Sequence, residues 1–305
     1  MEQDIIFEGS ATALVTPFKE DGGVDYRRLE ELVEQQIKAG IDALVICGTT
    51  GEASALPDEE HVAVVRTAVQ TASGRVPIIA GMGSNDTAHG VNLAKAVTAA
   101  GADALLNVTP YYNKTTQKGL IRHFQATAAA SDLPVILYNV PSRTNLNIEP
   151  ETYYALAKTE NIVAIKECNL AQVPMTRYLC GDAYVHYSGE DGLVIPMMAL
   201  GGKGVISVVG NILPEVMVAM THAWLEGKTR EACDLQNGLA EVIAGLFCEV
   251  NPIPVKAAMK LLGNSAGPCR MPLAEMEDKN LKRLAAGLRA YGLELPGAPE
   301  EEGDA

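Results

Sequence analysis

The sequence predicts an α/β chain folded as a (β/α)8 TIM barrel with a C-terminal helical region appended. Three observations carry this expectation. Eight apolar, β-branched runs recur along the chain, and helix-patterned segments separate them in strict alternation. The alternating part also has the ~250-residue length typical of such barrels.

The strand runs cover residues 11–18, 43–49, 76–83, 104–112, 134–140, 162–168, 183–190 and 204–210. Several, such as VPIIAG and PVILYNV, are almost continuously apolar, as parallel strands buried on both faces require. The first helical segment, 25–39, carries Leu29, Leu32, Val33, Gln36 and Ile37 on one stripe. The second, 58–72, follows Pro57 and opens with acidic residues, a helix start signal. Segments 86–99 and 116–130 are Ala-rich, and 149–158 has Pro150 near its first turn. Segments 171–180, 191–200 and 214–227 complete the eight units. Gly40, Gly101 and Gly181 stand where helices end. Beyond residue 228 only helical patterns remain, over 229–249, 253–263 and 273–292. The expected organisation is a barrel over 1–228, a helical region packed on it over 229–293, and a disordered acidic tail over 294–305. A doubly wound open sheet, the rival architecture, would have fewer strands in this length and a phosphate-binding fingerprint.

Composition narrows the function. Lys plus Arg number 24 and Asp plus Glu 38, for a net charge of −14. Glu300, Glu301, Glu302 and Asp304 account for four of those charges, leaving about −10 on the body. That balance disfavours nucleic acid and anionic membranes as partners. No apolar run approaches the ~20 residues that span a bilayer. The start MEQDIIFEGS does not read as a signal peptide. Six scattered Cys form no CxxC pair and no zinc spacing, which suggests reduced thiols and a cytoplasmic location.

In a (β/α)8 barrel, function lies at the C-terminal ends of the strands. Lys166 closes the sixth strand, and period-2 alternation puts Ile162, Ala164 and Lys166 on the barrel-facing side. An ordinary lysine is neutral in only about one part in 2,500 at pH 7. Burial raises that fraction, and a neutral amine adds to ketones to form a Schiff base. The alternative is a strand-end Lys paired with a carboxylate such as Glu167. Tyr138 closes the neighbouring strand and is placed to pass protons there, or else it is a rim aromatic with a satisfied hydroxyl. Gly48-Thr49-Thr50-Gly51-Glu52 offers small residues, hydroxyls and backbone N–H groups to a ligand carboxylate. No Gly-Lys-Ser/Thr follows it, so it is not a phosphate loop. Gly81 and Gly83 precede a helix, but a third glycine is missing, which weakens a dinucleotide reading. Arg143 sits in a rim loop, suited to bidentate carboxylate recognition or simply exposed. The five His form no metal-binding pair and read as surface or capping residues. Cys47 and Cys168 read as small buried hydrophobes within strands.

Taken in order, the segments ALVTPF, GTTGE, TPYY, YNVPSRT, IKE, SGED, GVISV and NPIPVK resemble the 4-hydroxy-tetrahydrodipicolinate synthase (dihydrodipicolinate synthase) family. That family lies within the N-acetylneuraminate lyase superfamily of Class I pyruvate aldolases, and the resemblance covers residues 8–292. It implies that Lys166 forms a Schiff base with pyruvate and that the enamine attacks aspartate semialdehyde. It implies a proton relay of Thr50, Tyr138 and Tyr112, the last reaching in from a partner subunit. Arg143 matches the residue that engages the semialdehyde carboxylate. Thr49 and Thr50 match the hold on the pyruvate carboxylate, and Gly189 and Ile206 match backbone contacts beside it. The family uses no metal and no organic cofactor, and forms a tight dimer or a dimer of dimers.

Two departures stand out. Cys168-Asn169-Leu170 replaces the family's usual small, hydroxyl-bearing stretch after Lys166-Glu167, in a loop that looks shorter. At the family's lysine-feedback site, His61, Asn85 and Tyr111 match regulated members. His89 stands where those members place a Glu, and Ala53 and Asp58 also differ. Weak or absent lysine inhibition is the expectation. The nearest rival is another pyruvate aldolase, such as N-acetylneuraminate lyase or a 2-keto-3-deoxy-sugar-acid aldolase, whose members usually lack that Arg. A non-catalytic small-molecule-binding barrel is more remote, because both Lys166 and Tyr138 are present.

Overall fold

A computed structural model describes residues 5–298. Its strands are β1 (Gly9–Ala13), β2 (Ala43–Ile46), β3 (Ile78–Gly81), β4 (Ala104–Val108), β5 (Val135–Asn139), β6 (Ile162–Glu167), β7 (Val185–Ser188) and β8 (Gly204–Ser207). They close a parallel barrel in chain order, with β1 pairing both β2 and β8. The helices between them are α1 (Tyr26–Lys38), α2 (Asp58–Ala72), α3 (Thr87–Ala99), α4 (Gln117–Ala128), α5 (Pro141–Thr144), α6 (Pro150–Leu156), α7 (Val173–Cys180), α8 (Val194–Ala199) and α9 (Pro214–Leu225). After them come α10 (Thr229–Gly238), α11 (Ala240–Leu246), α12 (Ile253–Leu261) and α13 (Asp278–Ala290).

Alternation along the strands divides the core in two. Ala43 and Val45 point into the barrel, while Leu44 and Ile46 point out to the helices. Phe7 closes the floor, stacked on Tyr187 at 4.2 Å between ring centroids. Gly204 lets β8 start against β1, because a Cβ there would lie 1.8 Å from the Gly9 carbonyl oxygen. Helix starts follow their capping residues. Asp25 and Asp86 accept from Arg28 N and Ala88 N, and Thr116 accepts from Gly119 N.

The strands are shorter than the apolar runs. The run 11–18 outlasts β1 because Leu14, Val15 and Phe18 remain buried beyond the strand's last residue. Phe18 N instead donates to Ala266 O, in the C-terminal region. An apolar run therefore records burial and not pairing. Ile162 also departs from expectation. The register shifts between Val135 and Ile136, where Ile162 and then Ala164 are their partners. Ile162 packs in the outer layer, while Val163 packs against the inner one and Ala164 and Lys166 face inward.

The C-terminal helices differ as well. The expected helix over 229–249 is two, α10 and α11, meeting at Leu239. Gly238 lowers helix propensity there by about 1 kcal/mol relative to Ala. Residues 294–298, expected in the disordered tail, fold back on α12, with Gly297 N donating to Leu261 O. The rest of that expected tail, 299–305, lies outside the described residues.

Candidate active site

Lys166, the penultimate residue of β6, faces the lumen and is only 6 % exposed. Strand pairing sets it beside Tyr138 of β5 and Tyr187 of β7. Its Nζ lies 4.3 Å from the Tyr138 ring centroid. Burial lowers its pKa from the ordinary lysine value, opposed by the nearby Asp191 and Glu190 carboxylates. The physical effect is a larger share of free amine, which is the nucleophilic form.

Glu167 does not neutralise it. Being next in the strand, Glu167 points out of the barrel, where four donors occupy its oxygens. Asn139 Nδ2 and Asn169 N donate to Oε1 at 2.8 and 2.7 Å. Tyr153 OH and Gln172 Nε2 donate to Oε2 at 3.1 and 2.7 Å. Burial nevertheless pushes its carboxyl up to about 7.

Tyr138 is buried, which raises its pKa well above the ordinary phenol value, and the nearby Arg143 and Thr49 oppose that rise only in part. Thr50, the residue after Thr49, is buried. Its Oγ1 accepts from Asn251 Nδ2 at 2.9 Å. The loop bearing both threonines is pinned by Thr16 Oγ1, which donates to Gly51 O at 2.7 Å. Arg143 lies not in an irregular loop but in the one-turn helix α5, exposed, with Nη2 donating to Asn251 O at 3.0 Å. Ile206 lines the lumen from β8. Gly189 caps β7, where a Cβ would lie 2.4 Å from Cys168 Sγ. Asp191 holds the ends of β7 and β8 together by accepting from the Ser207 hydroxyl and Val208 N.

A cavity of about 340 Å³ opens at this rim. Its lining includes Thr49, Tyr138 and Arg143 together with Ala53, Asp58, His61, His89 and Tyr111. His89 Nε2 is bonded to Asp58 Oδ1 at 2.8 Å and Nδ1 to Ser84 Oγ at 2.9 Å. His61 Nε2 meets Gly81 O at 2.8 Å, and Asn85 O accepts from Asn113 Nδ2 at 2.8 Å. Tyr112 stands apart from the site of its own chain, 92 % exposed with φ +67°.

Several sequence expectations are corrected here. His61, His123 and His186 are buried, not at the surface. Burial lowers the pKa of all three, that of His186 to about 4. Cys47 lies one residue past β2 with φ +54°, and Cys168 one residue past β6 and only partly buried. Gly81 is explained by packing, since a Cβ there would lie 2.0 Å from Cys47 O. Residue-by-residue reading passed over Asn251, which touches two site residues. The only sign of it was the NPIPVK segment. It likewise passed over the buried pair Glu52–Lys256, 2.6 Å apart.

Known proteins share this fold. Residues 6–291 match the Dihydrodipicolinate synthetase family. The 4-hydroxy-tetrahydrodipicolinate synthase of Acetivibrio thermocellus is 54% identical over 288 residues, covering 94% of this chain and 98% of that protein. The crystal structure of dihydrodipicolinate synthase from Aquifex aeolicus superposes with a TM-score of 0.92 at 45% identity, over 95% of this chain and 100% of that one. The chloride-inhibited dihydrodipicolinate synthase from Acinetobacter baumannii, solved with pyruvate, gives a TM-score of 0.91 at 41% identity, over 94% and 99%. On the family match, these identities and the closed barrel with its buried rim lysine, the chain belongs to the dihydrodipicolinate synthetase family.

Proposed function

We propose that the chain is a lyase that condenses pyruvate with L-aspartate 4-semialdehyde to 4-hydroxy-tetrahydrodipicolinate, in lysine and diaminopimelate biosynthesis. The observation that carries this is Lys166, buried at the C-terminal end of β6 with its amine against Tyr138. The amine adds to the pyruvate ketone and water leaves, giving an imine. Loss of a methyl proton gives the enamine, whose carbon attacks the semialdehyde carbonyl. The substrate amine then attacks the imine carbon, closing the ring and expelling the Lys166 amine.

In this reading Tyr138 moves protons between these steps, with Thr50 and a partner's Tyr112 completing the relay. Thr49, Thr50 and the main chain at Gly189 and Ile206 hold the pyruvate end. Arg143 pairs with the semialdehyde carboxylate at the mouth, and this residue favours the synthase over a sugar-acid aldolase. The chain acts as a tight dimer, assembled as a dimer of dimers. The exposure of Tyr112 supports the first contact, and exposed Tyr154, Met175 and Tyr178 on α6 and α7 support a second. A cytoplasmic location accords with six free cysteines, and no described helix is long and apolar enough to cross a membrane.

The test is turnover of pyruvate with aspartate semialdehyde, coupled to the NADPH-dependent reductase of the product. NADPH loss that falls to background in Lys166→Ala is the expected result. A wild-type protein that is trapped by borohydride with pyruvate, yet consumes no semialdehyde, would move the assignment to another pyruvate aldolase.

A further inference from the structure

Thr50 has one hydroxyl proton and can accept at its lone pairs. Among the described residues its hydrogen-bond partner is Asn251, whose amide donates to it at 2.9 Å. Asn251 comes from the segment before α12, 201 residues along the chain and outside the barrel units. It is 6 % exposed, and its main-chain oxygen accepts from Arg143. Its Oδ1 is buried without a partner.

The two segments are joined again close by. Glu52, two residues after Thr50, pairs with Lys256 at 2.6 Å, with both side chains almost fully buried. Lys256 Nζ also donates to Pro268 O and lies 4.4 Å from the Phe18 ring centroid. Arg270 N donates to the other Glu52 oxygen at 2.8 Å. Breaking such a buried pair is costly, so Asn251 is held in register against Thr50.

We infer that Asn251 is a positioning residue that sets the direction of the Thr50 hydroxyl. Its amide N–H occupies a Thr50 lone pair, and the Thr50 proton is left to donate into the site. An acceptor in the same place would turn that proton outward and break a relay running through Thr50. The proposal rests on the assignment of Thr50 to the proton-transfer machinery.

Asn251→Asp tests it, because a carboxylate of nearly the same shape accepts where the amide donates. Arg143 holds a main-chain oxygen, so the substitution leaves that contact in place. The expected result is a kcat loss on the order of 10²-fold, the lower end of what a positioned proton-transfer group contributes. The loss should shrink as pH falls and the new carboxyl regains a proton to donate. In a Thr50→Ala background the same substitution should cost about threefold or less. An Asn251→Asp protein about as active as wild type would overturn the proposal, as would a loss equally large without the Thr50 hydroxyl. If Asn251→Asp does not fold, Asn251→Ala carries the same cycle, with a smaller loss that must again vanish in the Thr50→Ala background. Each comparison is also read as the rate of borohydride-trapped adduct formation, which needs pyruvate alone. A wild-type protein that forms the adduct without consuming semialdehyde counts against the synthase reading and leaves this test legible.

Discussion

Lys166 and Glu167 are chemically opposite neighbours that a strand separates by pointing them to opposite faces. The lysine meets the ring of Tyr138 and loses basicity, while the carboxylate is surrounded by donors outside the barrel. The direction of hydrogen bonding matters in the same way at His89. Both its ring nitrogens are engaged, with Asp58 and Ser84. If a feedback lysine binds here, no carboxylate stands at residue 89 to receive its ammonium, and the Asp58 carboxylate is already shared with an imidazole. Lysine at millimolar concentration is therefore expected to leave most of the activity intact. His89→Glu should lower the lysine concentration for half-inhibition by about tenfold, the value of one added charge-assisted contact. Initial rates against lysine concentration check both statements, and half-inhibition of the wild type at micromolar lysine would refute the first.

At the scale of the element, β6 and β7 carry buried titratable groups that tilt stability in opposite directions. Burial raises Glu167 to about 7. The folded protein keeps that proton to higher pH than the unfolded chain. Its stabilising effect is full below the ordinary carboxylate range and is lost as pH rises through about 7. Burial lowers His186 to about 4. Stability from the neutral imidazole is full above the ordinary histidine range and is lost as pH falls toward about 4. Between roughly pH 4.5 and 6.5 the two slopes oppose each other. Relative to wild type, Glu167→Gln should make unfolding free energy climb with pH across that window, and His186→Asn should make it decline. Each change is on the order of 3 kcal/mol over the full titration. Denaturant melts at several pH values measure this, and parallel curves for wild type and both variants would contradict it.

The whole molecule places chemistry where no single element could. The C-terminal region contributes Asn251 to Thr50 and Arg143, and Lys256 to Glu52. Tyr112, by contrast, projects away from its own chain. If a partner's Tyr112 completes the site, two inactive proteins should rescue each other. Mixed Lys166→Ala and Tyr112→Phe subunits, unfolded and reassembled together, are expected to recover roughly a quarter of wild-type activity, from the one intact site in each hybrid dimer. Recovery no greater than the sum of the separate variants would place Tyr112 outside the reaction.

Much of this was legible beforehand. Strand and helix periodicities are local properties of the chain, so the eight units, the inward Lys166 and the glycines that end helices could be read from spacing. The strand exits, Thr49-Thr50, Tyr138 and Arg143 followed once a barrel was assumed, because parallel strands deliver their C-terminal ends to one rim. Tertiary structure decided the rest. The bulge that turns Ile162 outward depends on the register with β5, and the burial of His61, His123 and His186 depends on which helix or strand packs over them. The bond from Asn251 to Thr50 and the pair of Lys256 with Glu52 join residues some 200 positions apart. No periodicity encodes such a contact. It exists only because closing the barrel brings the C-terminal helices over its rim, where a buried polar group must find its partner in whatever chain arrives.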